Sequence, residues 1–184
     1  MKELSLNILD VAENSVKAGA ALTEILIEED ETQLTLRIRD NGCGMTEEQV
    51  RAVIDPFYTT RTTRSVGLGV PLLKLAAEQT GGSFTIESKA QTAHPDSHGT
   101  TVTARFHKQH IDYTPLGDVA ASVVTLIQGH PDADFYFCHK TAKGQVTLDT
   151  RELRQVLEGV PLNTYDVIKW MEEYLQEQYL EIKE

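Results

Sequence analysis

Residues 33–39, Gln-Leu-Thr-Leu-Arg-Ile-Arg, alternate polar and apolar side chains without a break. A period of two belongs to a strand, because successive side chains of an extended chain point to opposite sides. Such a strand buries one face and wets the other, which calls for a sheet with its cover on one side. The β-rich run Glu24-Ile25-Leu26-Ile27-Glu28 comes just before it, and Glu29-Asp30-Glu31 punctuates the two, so a hairpin is expected. Upstream, Leu4, Ile8, Ala12 and Val16 fall at helical spacing and predict an amphipathic helix over 4–18. Downstream, Asp40-Asn41-Gly42 ends the second strand with residues that tolerate positive φ. Thr46-Glu47-Glu48-Gln49 has the capping-box pattern and starts a short helix toward Ile54. Val70 to Gln79 predicts a further helix closed by Gly81-Gly82, followed by strands at Ser83–Ser88 and Thr100–Phe106. The expected fold class is an α+β two-layer sandwich, a mainly antiparallel sheet covered by helices on one face.

From Thr114-Pro115 onward the pattern changes. Val119 to Ile127 reads as helix, Asp134–His139 and Gln145–Asp149 as a hairpin around Lys143-Gly144, and Arg151–Leu157 as helix. A last helix carries Ile168, Met171, Leu175, Tyr179 and Ile182 on one stripe. The organisation expected is a domain over 1–110 and a small C-terminal α/β lobe over 115–184. The aromatic residues of that lobe, Phe135, Tyr136, Phe137, Tyr165, Trp170, Tyr174 and Tyr179, are expected to serve core and helix packing, with a docking surface on the final helix as the alternative.

A net charge of −11 over 184 residues argues against a nucleic-acid partner, which needs basic surface to displace counterions from phosphates. Cys43 and Cys138 stand in neither CxxC nor CxxH spacing, so two reduced thiols are expected, with neither a zinc site nor a disulfide framework. No signal-peptide pattern opens the chain, and no apolar run approaches the ~20 residues that span a bilayer, so a cytoplasmic location is expected.

Chemistry concentrates in three places. Asn7, Asp10, Asn14 and Lys17 recur at intervals of three, four and three on the first helix and so share one face. An amide, a carboxylate, an amide and an ammonium facing one cleft can hold a metal and phosphates, although most stripes of this kind are a solvated surface. Asp40-Asn41-Gly42-Cys43-Gly44-Met45 sets a carboxylate at a strand end before two glycines. A carboxylate there can accept from an exocyclic amine while the glycines let the backbone approach a flat base; an ordinary turn fits the same letters. Asp55-Pro56-Phe57-Tyr58-Thr59-Thr60-Arg61 leads to Gly67-Leu68-Gly69 at the start of a helix, where free N–H groups and the helix dipole favour phosphate.

Together these residues resemble the boxes of the GHKL superfamily, which comprises DNA gyrase, Hsp90 chaperones, histidine kinases and MutL-type repair proteins. Asn14-Ser15-Val16-Lys17 resembles the N box, Asp40–Met45 the G1 box, Asp55–Arg61 the F box, Gly67–Gly69 the G2 box and Gly99-Thr100 the closing GT motif. The Asp-Pro-Phe-Tyr-Thr-Thr-Arg run and Lys17 are most similar to the histidine-kinase and anti-sigma serine-kinase branch. The resemblance implies a Bergerat fold that binds ATP and Mg²⁺. It implies that Asn14 coordinates Mg²⁺, that Asp40 binds the adenine amine, and that Gly42 and Gly44 shape the base pocket. Lys17 and Arg61 then reach phosphate oxygens, Gly67, Leu68 and Gly69 line the lid over ATP, and Thr100 supports the adenine side. Met45 and Thr60, within the G1 and F boxes, are grouped with these cofactor contacts. No G-x-x-x-x-G-K-[ST] is present, so the cradle is not a P-loop.

The pattern departs from the kinases in two respects. The helix that carries the N box begins within ten residues of Met1, with no dimerising acceptor helix pair before it, and none of the six histidines sits in an acceptor context, so autophosphorylation is not expected. Where hydrolytic branches carry a Glu four residues before the Mg²⁺ Asn, this chain has the shorter Asp10, the candidate catalytic base; Glu13 is a weaker candidate. Three functions stay open: a kinase acting in trans on a protein partner, an ATP-gated switch or weak ATPase working through 115–184, and a non-catalytic ATP sensor. A homodimer is compatible with all three.

Overall fold

The computed structural model describes residues 3–55 and 68–183. The first helix, α1 (Leu4–Lys17), precedes the hairpin β1 (Leu22–Glu29) and β2 (Gln33–Asp40). Then come α2 (Glu47–Ile54), α3 (Gly69–Gln79), β3 (Ser83–Lys89) and β4 (Gly99–His107). The chain ends with α4 (Val119–Gly129), β5 (Asp134–Thr141), β6 (Gly144–Asp149), α5 (Thr150–Leu157) and α6 (Tyr165–Lys183). The expected α+β two-layer sandwich is what forms. Its sheet has six strands in the order β3-β4-β2-β1-β5-β6. All neighbours are antiparallel except β1 and β5, which run parallel.

Register turns the alternation seen in the sequence into rows across the sheet. Ile86, Val102, Ile38, Ile25, Phe137 and Leu148 lie opposite one another in series and form one apolar row through all six strands. The period of two carries the same inner face to a polar row at one end, Ser88, Thr100, Asp40 and Thr23. Toward the opposite end, Leu34 faces Phe106 on one side and Glu29 on the other. There the Glu29 carboxylate accepts from His139 Nε2 at 2.6 Å and Lys108 Nζ at 2.8 Å. These partners outweigh the cost of burial and hold its pKa down at about 2. Tyr179 OH closes this cluster on His139 Nδ1 at 2.7 Å, tying α6 to the sheet.

Helix ends follow the local chemistry. Thr46 Oγ1 accepts from Gln49 N–H at 3.3 Å, and Gln49 Oε1 accepts from Thr46 N–H at 2.9 Å, so the expected capping box starts α2. After α3 the chain turns at Gly81, φ +78°, with Gly82 N–H donating to Ala77 O at 3.1 Å, as the Gly-Gly pair predicts. No side chain caps α1. Instead Leu4 and Ser5 donate their N–H groups to Pro115 O and Leu116 O, each at 2.8 Å, so residues from beyond β4 satisfy the start of the first helix.

On α6 the buried stripe is Val167, Met171 and Leu175, with Ile168, Tyr179 and Ile182 packed beside it. Phe135 and Phe137 are fully buried, as expected of core aromatics. Tyr165 and Trp170 fall off the stripe and stay exposed, Trp170 stacking on Tyr174 with ring centroids 4.7 Å apart. The free edge of β6 is covered: Gln178 accepts from Thr147 N–H and donates to Thr147 O, both at 2.9 Å.

Candidate functional site

Asp40 closes β2 on the inner face, where α1 passes over the end of the sheet. Ser15, buried on α1, donates its hydroxyl to Asp40 Oδ2 at 2.7 Å, and Gly42 N–H donates to Oδ1 at 2.8 Å. The carboxylate is thereby fixed from two sides, and each oxygen keeps a second lone pair free. Gly42 is pressed against the end of α1: a Cβ there would lie 2.9 Å from Ala18 Cβ. Cys43 N–H donates to Ala18 O at 2.9 Å and holds the loop in that position. Gly44 has φ +68°, and a Cβ on it would lie 1.9 Å from Lys89 O, so only glycine suits the position.

Thr100 stands opposite Asp40 in the register and belongs to a hydroxyl relay. Its Oγ1 pairs with Ser88 Oγ at 2.7 Å, and Ser88 Oγ accepts from Met45 N–H, also at 2.7 Å. His98 Nδ1–H donates to Gly42 O. An open cleft of about 670 Å³ is lined by Asp40, Ser88, Thr100 and His98 and by Glu47 and Arg51 of α2, with none of the described residues of α1 or α3 in its lining.

A second group of expected residues lies along α1. Asp10 and Lys17 are exposed and Asn14 is half-buried. No side-chain hydrogen bond or ion pair engages any of the three among the described residues. Glu13 is different: its Oε2 lies 2.7 Å from Nε2 of His130, the residue after α4. The start of α3 abuts α1 directly, since a Cβ on Gly69 would lie 3.0 Å from Asp10 Cβ. Leu68, the exposed N-cap residue of α3, offers no capping side chain, so the N–H groups of Gly69 and Val70 have no side-chain acceptor among the described residues, and Pro71 has no N–H to offer. Thr60, Arg61 and Gly67 lie outside the described residues.

Among the described residues no three His, Cys, Asp or Glu side chains gather into a metal cluster. The Asn14 amide, one turn from Asp10, has no side-chain partner among the described residues. No described helix is long and apolar enough to cross a membrane.

The structure gathers Asp40, Gly42, Gly44, Met45 and Thr100 at one end of the sheet, and sets Gly69, which follows Leu68, against Asp10 on α1, the helix that also carries Asn14 and Lys17. The sequence reading missed Ser15 and Ser88. Ser88 could have been found by counting two residues on from Ile86 along β3, and Ser15 by its place beside Asn14. Asn7 departs from the expected stripe: it is buried, and its Nδ2–H donates to Gly69 O at 2.7 Å.

The family described as histidine kinase-, DNA gyrase B-, and HSP90-like ATPase matches residues 2–110. Sensor protein SrrB of Staphylococcus aureus is 32% identical over 94 residues, covering 48% of this chain and 16% of that relative's length. Among solved structures, the MutL ATPase domain of Aquifex aeolicus complexed with ADP superposes with a TM-score of 0.54 at 16% identity, over 86% of this chain and 70% of that one. The N-terminal domain of a DNA repair protein gives 0.53 at 17% identity, over 81% and 53%. At these identities the likeness is one of fold, and at 86% coverage it extends past residue 110 into the C-terminal strands and helices.

Proposed function

Because the chain belongs to the histidine kinase-, DNA gyrase B- and HSP90-like ATPase family, we propose that it binds ATP with Mg²⁺ at the α1–β2–α3 site and transfers the γ-phosphoryl group to a partner protein. Residues 1–110 are the nucleotide-binding unit in this reading, and 115–184 its C-terminal lobe. The observation that carries it is the division of labour around α1. Asp40 is fixed by Ser15 and Gly42, as a base-reading carboxylate must be. Asp10, Asn14 and Lys17 are left without partners among the described residues, beside the uncapped start of α3.

The chain's own groups then act as follows. Asp40 accepts from the adenine amine, with the Thr100–Ser88–Met45 relay holding the other wall. Asn14 would hold Mg²⁺ through its amide oxygen, and the ion would supply charge neutralisation when bound. Lys17 and the N–H groups at the start of α3 receive phosphate oxygens. Asp10 takes the proton from a partner's attacking hydroxyl as the new P–O bond forms and the bond to the β-phosphate breaks, releasing ADP. Glu13, held by His130, is the poorer base.

A second reading, an ATP-gated regulator, is favoured by how the C-terminal residues grip α1. Pro115 and Leu116 bond its first turn, His130 bonds Glu13, and β5 lies parallel beside β1. Incubation with ATP labelled at the γ-phosphate, alone and with cell extract, separates the readings. Label on a second protein, lost in Asp10→Ala, is the expected result. Free phosphate without transfer supports the switch, and intact ATP throughout overturns both catalytic readings.

A further inference from the structure

Asn7 is the residue that the proposed chemistry does not use and that packing alone does not explain. It is 2% exposed on α1, and its Nδ2 donates to Gly69 O at 2.7 Å across 62 residues. The amide orientation is fixed, since a carbonyl can only accept. Its other end, Oδ1, is buried with no partner among the described residues. A buried acceptor left unpaired costs more than an apolar group of the same shape. An interhelical contact built for stability alone is better served by leucine, which nearly matches asparagine in shape.

What the amide secures is register. Gly69 is the first residue of α3, and the closest approach of its missing Cβ is to Asp10 Cβ at 3.0 Å. Asp10 follows Asn7 by three positions and so shares its face of α1. Sliding or rotating α3 along α1 breaks the single bond at Gly69 O and moves the helix start away from Asp10. An apolar contact tolerates such sliding because it has no direction; a hydrogen bond does not.

We propose that Asn7 is a positioning residue: it holds the first turn of α3 in register with Asp10, so that the N–H groups of Gly69 and Val70 and the groups of α1 converge on the same phosphates. This rests on the ATP reading above. Asn7 touches neither base nor phosphate itself.

The test is Asn7→Leu in the full chain, read by thermal melting without nucleotide and by titration with ATP and with ADP, each with Mg²⁺. We expect melting equal to or above wild type and ATP affinity about tenfold weaker, the upper end of what one directional hydrogen bond contributes. ADP binding should weaken less. Gly69→Ala, which pushes α3 off Asp10, should give the same selective loss, and the double variant should lose less than the two singles combined. Lower melting with unchanged affinities makes Asn7 a stabilising residue only and overturns the inference, as does equal loss for ATP and ADP. If wild type itself fails to bind ATP, the ATP reading falls and takes this inference with it; wild-type binding with an unaffected Asn7→Leu sinks the inference alone.

Discussion

Replacing Asp40 with asparagine changes one oxygen into an amide nitrogen and leaves the volume untouched. The two carboxylate oxygens each accept one bond, Oδ2 from Ser15 at 2.7 Å and Oδ1 from Gly42 N–H at 2.8 Å. A backbone N–H can only donate, so asparagine must keep its oxygen toward Gly42 and turn its NH₂ toward Ser15. A serine hydroxyl accepts as readily as it donates, so that pair survives with the roles reversed. The unliganded fold should therefore change by less than about 1 kcal/mol. The loss falls on the ligand. On the Oδ2 side the carboxylate has a lone pair open to an exocyclic amine, whereas the amide presents a donor to a donor. Losing one hydrogen bond to a charged acceptor costs about 1.5–3 kcal/mol, or roughly 10- to 150-fold in Kd. A 6-oxopurine nucleotide, whose O6 accepts, should be spared that loss, so the preference for ATP over ITP falls by the same factor. Calorimetric titration of both nucleotides into both proteins, with melting curves of each alone, measures every term. Unchanged ATP affinity in an Asp40→Asn protein of wild-type melting refutes the assignment of Asp40 to the base.

Two further outcomes follow from the geometry. Gly44→Ala puts a residue at φ +68° and a Cβ 1.9 Å from Lys89 O, so the loop must leave β3 and give up the bond from Gln91 N–H to Cys43 O; about 2–3 kcal/mol of stability should be lost in denaturant melts, and wild-type stability contradicts the described loop. Glu29, held at about 2 by His139 and Lys108 against an ordinary 4.5, takes up a proton more readily when unfolded than when folded, so its contribution is complete above pH 4.5 and drains away as pH falls toward 2. Discounted for partial solvent access this is about 2 kcal/mol, and Glu29→Gln should flatten the acid limb of a stability–pH curve; an unaltered limb counts against the cluster.

Alternation and capping made most elements legible. The alternation in β2 fixed which side chains enter the core, and the Thr46–Gln49 box fixed the start of α2 to the residue. These are local properties, and local chemistry decides them. Neighbourhood is not local. Nothing in Asp134–Thr141 says that it lies beside β1, because alternation states which way side chains point and is silent on which strand comes next. The parallel β1–β5 pair is made by a long crossover, and its partner had to be supplied by the structure. The same limit hid the bond from Pro115 to the first turn of α1, since a backbone carbonyl leaves no mark in the side-chain pattern.

The candidate site shows the boundary between the two kinds of information most sharply. Asp40, Thr100 and Ser88 meet because three strands share one register; a one-residue slip of β4 puts Thr101 opposite Asp40 and turns Thr100 to the outer face, away from Ser88. Asp10, Asn14 and Lys17 needed only helical spacing to be set on one stripe of α1. Asn7 satisfies the same spacing and yet lies buried, so periodicity cannot have separated it from the other three. The difference comes from Gly69. With no Cβ in the way, α3 closes on α1 at Asp10, and that approach covers Asn7 one turn earlier while leaving Asn14 one turn later half open. A glycine in another helix thus decides which members of one polar stripe stay open to solvent, and the sequence states that only to a reader who already knows the two helices touch.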